Sequence, residues 1–154
     1  MKRKPILCLD FDGVIHSYAS GWKGPRTIPD APVPGALEFI VTALQEFDVQ
    51  IFSSRTRYWG GRRAMRKWLI HWYVELGQDW RHTPAWLRAV IEQHGVETWR
   101  DEVQIGVKNI VKRIGFPRHK PPAMVGLDDR VITFIGFWPS ISDLKEFKPW
   151  NKRG

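Results

Sequence analysis

The chain has 154 residues, with 24 Lys and Arg against 16 Asp and Glu, for a net charge of +8. That length suits one domain with a real core, and no apolar stretch approaches the ~18 residues of a membrane helix. The one cysteine, Cys8, excludes an internal disulfide, and the basic start Lys2-Arg3-Lys4 leads into too few apolar residues for a secretory signal. A cytoplasmic protein is expected, and its positive charge favours acidic partners such as nucleic acid, nucleotides or phosphate esters.

Ile6-Leu7-Cys8-Leu9 reads as a short strand buried on both faces, and it runs into Asp10-Phe11-Asp12-Gly13. Side chains at i and i+2 share a side of an extended chain. Asp10 and Asp12 therefore converge, and they repel unless a cation or a shared proton relieves them. The residues alone leave two readings open: a strand-end binding site, or acids that cap a turn. A Gly/Pro-rich loop follows from Ser20 to Gly35, then a helix with Leu37, Ile40, Val41 and Leu44 at helical spacing. Val49 to Phe52 is a second strand, stopped at Ser53-Ser54. The next helix runs from Gly61 to Leu76, with Met65, Trp68, Leu69, Trp72 and Leu76 on one face. Thr83 reads as an N-cap with Pro84 at the first helical position of a helix through Leu87 and Ile91. Val103, Val107, Ile110, Val111 and Ile114 mark another helix. Two strands then come close together, Ala123 to Leu127 and Val131 to Ile135. Most of the nine tryptophans fall at core spacings.

Strands alternating with helices predict an α/β fold, a mainly parallel sheet covered by helices, with its ligand site at the carboxyl ends of the strands. No composition shift marks a second domain, so residues 1–154 read as one. Met124-Val125-Gly126-Leu127-Asp128-Asp129 repeats the pattern of the first strand: apolar run, then carboxylates. Two such strands in one parallel sheet gather three or four acids at one edge. Hard oxygen ligands of this kind suit Mg²⁺, which takes one or two carboxylates plus water and substrate phosphate.

These segments resemble the haloacid dehalogenase (HAD) superfamily of phosphohydrolases, in the family's order. Asp10-Phe11-Asp12-Gly13-Val14 is similar to motif I, Ile51-Phe52-Ser53-Ser54-Arg55 to motif II, Lys120 to the motif III lysine, and Leu127-Asp128-Asp129-Arg130 to motif IV. The resemblance implies a Rossmannoid three-layer α/β/α sandwich with a minimal cap, a short flap at about 16–34 that offers Tyr18, Trp22, Lys23 and Arg26. It implies Asp10 as the nucleophile of an aspartyl-phosphate pathway and Asp12 as general acid and base. The acid at position 12 separates the chain from the family's dehalogenases and phosphonatases. It implies Mg²⁺ held by Asp10, Asp12 (through its carbonyl), Asp128 and Asp129, with Ser53 and Lys120 on the phosphoryl oxygens. Ser53 and Ser54 compete for the motif II role, and Lys120 has the plainer reading of a solvated loop lysine.

Arg55, Arg57, Tyr58, Trp59, Arg62, Arg63, Arg66 and Lys67 cluster after motif II, with no acid between Asp48 and Glu75. Basic side chains interleaved with aromatics suit a phosphate backbone with stacked bases; the competing reading is a helix with solvated arginines. Arg55 directly follows the motif II strand and, with Ser54, is the expected substrate contact. Ser53-Ser54-Arg55, Arg66-Lys67-Trp68 and Asp128-Asp129-Arg130 are also similar to the 3′-phosphatase domains of phage polynucleotide kinase-phosphatases, although this chain has no kinase P-loop. The expectation is a Mg²⁺-dependent phosphomonoester hydrolase acting on nucleic-acid ends (3′-phosphate) or nucleotides. The alternatives are a small-metabolite phosphatase, or a nucleic-acid-binding module with little catalysis. The five histidines show no zinc-ligand spacing.

Overall fold

The computed structural model describes residues 2–92 and 94–154. Its centre is a three-stranded parallel sheet in the order β2-β1-β3, made of β1 (Ile6–Leu9), β2 (Asp48–Ile51) and β3 (Val125–Leu127). Leu9 stands level with Ile51 on one side and with Leu127 on the other. This register brings all three strands to their carboxyl ends together. Leu7, Cys8 and Leu9 are consecutive and all buried, so both faces of β1 are covered. An unbroken apolar run such as Ile6–Leu9 is what a central parallel strand requires.

Helices α1 (Ala36–Glu46), α2 (Gly61–Gly77), α3 (Ala85–Ile91) and α4 (Trp99–Lys112) supply the cover. Each buries a stripe at helical spacing: Leu37, Ile40, Val41 and Leu44 from α1; Met65, Trp68, Leu69 and Tyr73 from α2; Val103, Val107, Ile110 and Val111 from α4. Tyr73 also ties α2 to α1, its hydroxyl donating to the Leu37 carbonyl at 2.8 Å. The Thr98 hydroxyl caps α4 by accepting from the Asp101 N–H at 3.2 Å, and Asp101 and Glu102 lie in the first turn, where the helix dipole favours acids. No helix among the described residues is long and apolar enough to cross a membrane.

Three expectations are corrected. Thr83 does not cap α3: its hydroxyl donates to the Asp79 carbonyl, and Pro84, with extended ψ of 144°, itself precedes the helix. Of the nine tryptophans, Trp68 is buried, Trp72, Trp86 and Trp99 pack half-buried against the core, and the other five are exposed. An indole at a helical spacing has a large half-polar body, and here most such rings end at the rim of the core. Val131 to Ile135 is not a strand. Three residues separate it from β3, whereas a parallel neighbour needs a crossover of about a dozen. The Asp128 carboxylate accepts the Arg130 N–H at 2.8 Å and closes a turn there. Strand-forming composition without a ladder partner leaves this segment extended and exposed. All of β3 is exposed as well, so helical cover extends over β1 and β2 but not over this edge. A short helix, α5 (Ile141–Lys145), precedes the tail. The tail then returns to the first strand: Trp150 Nε1 donates to the Gly13 carbonyl at 2.8 Å.

Candidate metal centre

Asp10 leaves β1 with its N–H still bonded to the Leu127 carbonyl at 2.9 Å, so the chain beyond β1 remains docked on β3. The Asp10 carboxylate accepts the Phe11 N–H at 2.8 Å. Since Leu9 and Leu127 are level, Asp128 and Asp129 emerge beside it. One oxygen from each of Asp10, Asp128 and Asp129 lies within 4.8 Å of the others. Burial, with the nearby charges of Asp128 and Asp129 adding to it, pushes the Asp10 carboxyl up to about 8, against a partial offset from the Phe11 N–H.

Asp129 is the sharpest member. Its side chain is 1 % exposed, and among the described residues the only cation paired with it is Arg130, whose Nε stands 3.8 Å away. Both of its oxygens are buried without a hydrogen-bond donor. A buried carboxylate in that condition is costly unless a cation or a proton completes it. Gly13, at φ 84°, makes the approach possible, because a Cβ there would collide with the Asp129 carboxylate. Three convergent oxygen donors, one of them orphaned, fit a hard divalent cation. The Asp12 carbonyl, one residue from Phe11, accepts no hydrogen bond among the described residues.

Lys120 arrives from the loop before β3. It lines a cavity of about 470 Å³ together with Asp10, Phe52 and Asp128. Its side chain is exposed, and no described residue forms an ion pair or hydrogen bond with its ammonium. The cavity therefore has an unpaired positive charge beside the acidic cluster, an arrangement suited to an oxyanion that bridges both. Cys8 also lines the cavity, but burial pushes its thiol up, away from the reactive thiolate.

Asp12 faces another way. Arg55 grips it with two donors, Nε to Oδ2 at 2.9 Å and Nη2 to Oδ1 at 3.0 Å. His16 adds a third contact, Nδ1 to Oδ1 at 2.8 Å. His16 Nε2 accepts the Asp30 N–H at 3.1 Å, so the proton of a neutral ring sits on Nδ1 and is donated to Asp12. Arg55 is fully buried, between Trp22 (4.8 Å to the ring centroid) and Phe11 (5.9 Å). Its Nη1 donates to the carbonyls of Gly24, Pro25 and Thr27. The arginine expected to meet substrate instead ties Asp12 to the flap, and its fork is occupied. Ser53 is buried at the end of β2, where its hydroxyl accepts the Arg55 N–H at 3.2 Å; Ser54 is exposed in the following 3₁₀ turn, Ser54–Arg57.

No protein-family model, curated protein or solved structure matches this chain. Its chemistry rests on the geometry.

That geometry unites Asp10, Asp128, Asp129 and Lys120, and holds Asp12 through Arg55. The Ser53 hydroxyl does not line the cavity that Lys120 and Asp10 share. Two participants escaped the sequence. His16 reads only as the start of the flap, and its one signal is the four-residue spacing from Asp12. Trp150, far along the chain, shows no local sign that it binds the Gly13 turn.

Proposed function

We propose that this protein is a phosphomonoester hydrolase of HAD type, dependent on Mg²⁺ and working through an aspartyl-phosphate. The observation that carries this reading is the cluster of Asp10, Asp128 and orphaned Asp129 beside the unpaired Lys120. A bound Mg²⁺, held by those three carboxylates and the Asp12 carbonyl, would neutralise charge between the nucleophile and an anionic phosphate. Asp10 attacks phosphorus, forming its O–P bond as the ester P–O bond breaks. Asp12 gives a proton to the leaving oxygen. A water then attacks the phosphoryl group, Asp12 takes that water's proton back, and the Asp10–phosphate bond breaks to release inorganic phosphate. Lys120 pairs with phosphoryl oxygens, and Ser53 donates to one of them once substrate draws it in. Arg55 and His16 are positioning residues: they fix the carboxylate that moves the proton.

Hydrolysis of an aryl phosphate in Mg²⁺ tests this. The wild-type chain turns over, and Asp10→Asn loses at least ~10³-fold in rate; full activity in Asp10→Asn would remove the nucleophile from the scheme. An aryl leaving group needs no proton, so Asp12→Asn should suffer less on aryl than on alkyl phosphates.

A further inference from the structure

The fold gathers five of the 24 Lys and Arg residues around one groove. Arg62, Arg63 and Lys67 on α2 meet Arg26 from the flap and Arg118 from the loop before Lys120, around a groove of about 720 Å³. A second hollow of about 600 Å³ continues it, sharing Trp59, Arg62 and Arg118 and adding Arg57 and His119. No Asp or Glu lines either part. Two of these cations are held by contacts. Arg62 Nη1 donates to the Phe116 carbonyl at 3.2 Å, and Arg26 lies over the Trp59 ring at 5.4 Å. Trp59 itself is 86 % exposed at the junction, with exposed Tyr58 beside it. A large indole in water needs a reason, and a groove lined by cations supplies one.

We infer that this groove binds single-stranded nucleic acid. A polyanion with regular spacing satisfies five cations that have no acid among them, and flat bases satisfy Trp59 and Tyr58 by stacking. An acidic peptide would meet the charges but leave the rings in water. A membrane surface is flat, and the cations here line a concavity. The groove also has a direction. His119 lines it, and the next residue, Lys120, lines the cavity of Asp10 and Asp128. A strand lying in the groove therefore brings its terminal phosphate to the acidic cluster; this last point alone rests on the hydrolysis proposed above.

The experiment is fluorescence anisotropy with a labelled thymidine oligonucleotide of ~12 nucleotides, in EDTA so that no turnover occurs. Binding should weaken with salt at a log–log slope of about −3.5, near −0.7 per phosphate contact for the five cations. Trp59→Ala should weaken it ~10-fold. Arg63→Glu with Lys67→Glu should weaken it more, while Lys108→Glu on exposed α4 surface should leave it nearly unchanged. Circular dichroism of each variant checks the fold, and aryl phosphate turnover should match wild type in all of them. Equal affinity in the groove variants and Lys108→Glu would overturn the inference. So would competition by poly-glutamate or by phosphatidylserine vesicles as strong as by unlabelled oligonucleotide, which would assign the groove to acidic protein or to membrane. Oligonucleotide binding without any aryl phosphate turnover would support the groove and sink the hydrolysis.

Discussion

Asp12 and Asp129 lie at the same edge of the sheet, and the fold treats them in opposite ways. Asp12 receives a two-donor grip from Arg55 and a third bond from His16. Asp129 is buried more deeply, yet both its oxygens lack a donor. Asp12 has a cage of three donor contacts, whereas Asp129 has only the Arg130 guanidinium at 3.8 Å and no hydrogen-bond donor among the described residues. Burying a carboxylate without donors is unfavourable, and sites that keep one gain something else by it. The contrast separates a carboxylate held in place from one left open: Arg55 and His16 tie Asp12 to the flap, and Asp10, Asp128 and Asp129 form a cluster that could take a cation.

The strongest way to break that contrast is to unmake the cage. Arg55→Ala leaves Asp12 without its cation and empties a buried site between Trp22 and Phe11. Stability should fall by about 3 kcal/mol, read by urea unfolding. Arg55→Lys should recover less than half of it, since an ammonium cannot reproduce the paired grip or reach the flap carbonyls. A loss below ~1 kcal/mol in Arg55→Ala would mean that the cage is not structural.

At Asp129 the opposite sign is expected. Asp129→Asn removes a repelling charge, and its amide can donate to Asp10. The metal-free protein should gain about 1 kcal/mol, and the stabilisation that Mg²⁺ gives the wild-type protein should shrink sharply. Thermal unfolding with and without Mg²⁺ reads both effects. A metal-free variant less stable than wild type would argue that Asp129 is held by something other than a cation.

The pH dependence sharpens the same point. The Asp10 carboxyl is pushed from the ordinary carboxylate range up to about 8 by burial and its acidic neighbours. Between those values the folded chain holds a proton that the unfolded chain has released. Raising the pH through that window therefore weakens the metal-free fold. A bound cation would take the place of that proton. The rise in unfolding temperature produced by Mg²⁺ should accordingly be larger near pH 8 than at about pH 5, and Asp10→Asn should flatten the difference. A shift independent of pH would detach Asp10 from the cation.

The smallest expected effect concerns the tail. Trp150→Phe keeps an aromatic ring but loses the bond to the Gly13 carbonyl, for about 1 kcal/mol. Hydrogen exchange at the Phe11–Val14 turn should rise with it; unchanged protection there would mean that the tail rests on the turn without holding it.

The order of the elements was legible because the signals are local. The continuous run Ile6–Leu9 can only be comfortable as a central parallel strand, and the stripes of α1, α2 and α4 repeat at 3.6 residues. Asp10 and Asp128 were legible as partners because both follow such a run, and parallel strands end at one edge. Val131–Ile135 was misread because strand propensity describes a residue's preference and says nothing about a free ladder partner. Arg55 was misread because its position, next to the strand end, does not reveal where a long side chain turns. The tryptophans failed for a related reason: spacing gives the face of a helix, and burial depends on what packs against that face.

By itself, then, the sequence determined the periodicities and the two acid-ended strands, which are properties of neighbouring residues. Tertiary structure decided which acid is caged and which is bare, because donors to Asp12 come from positions 16 and 55, and Asp129 fits only against a glycine at position 13. It also decided that Arg26, Arg62 and Arg118 share one groove. Contacts across such separations depend on how the chain closes in space, and no local pattern encodes them.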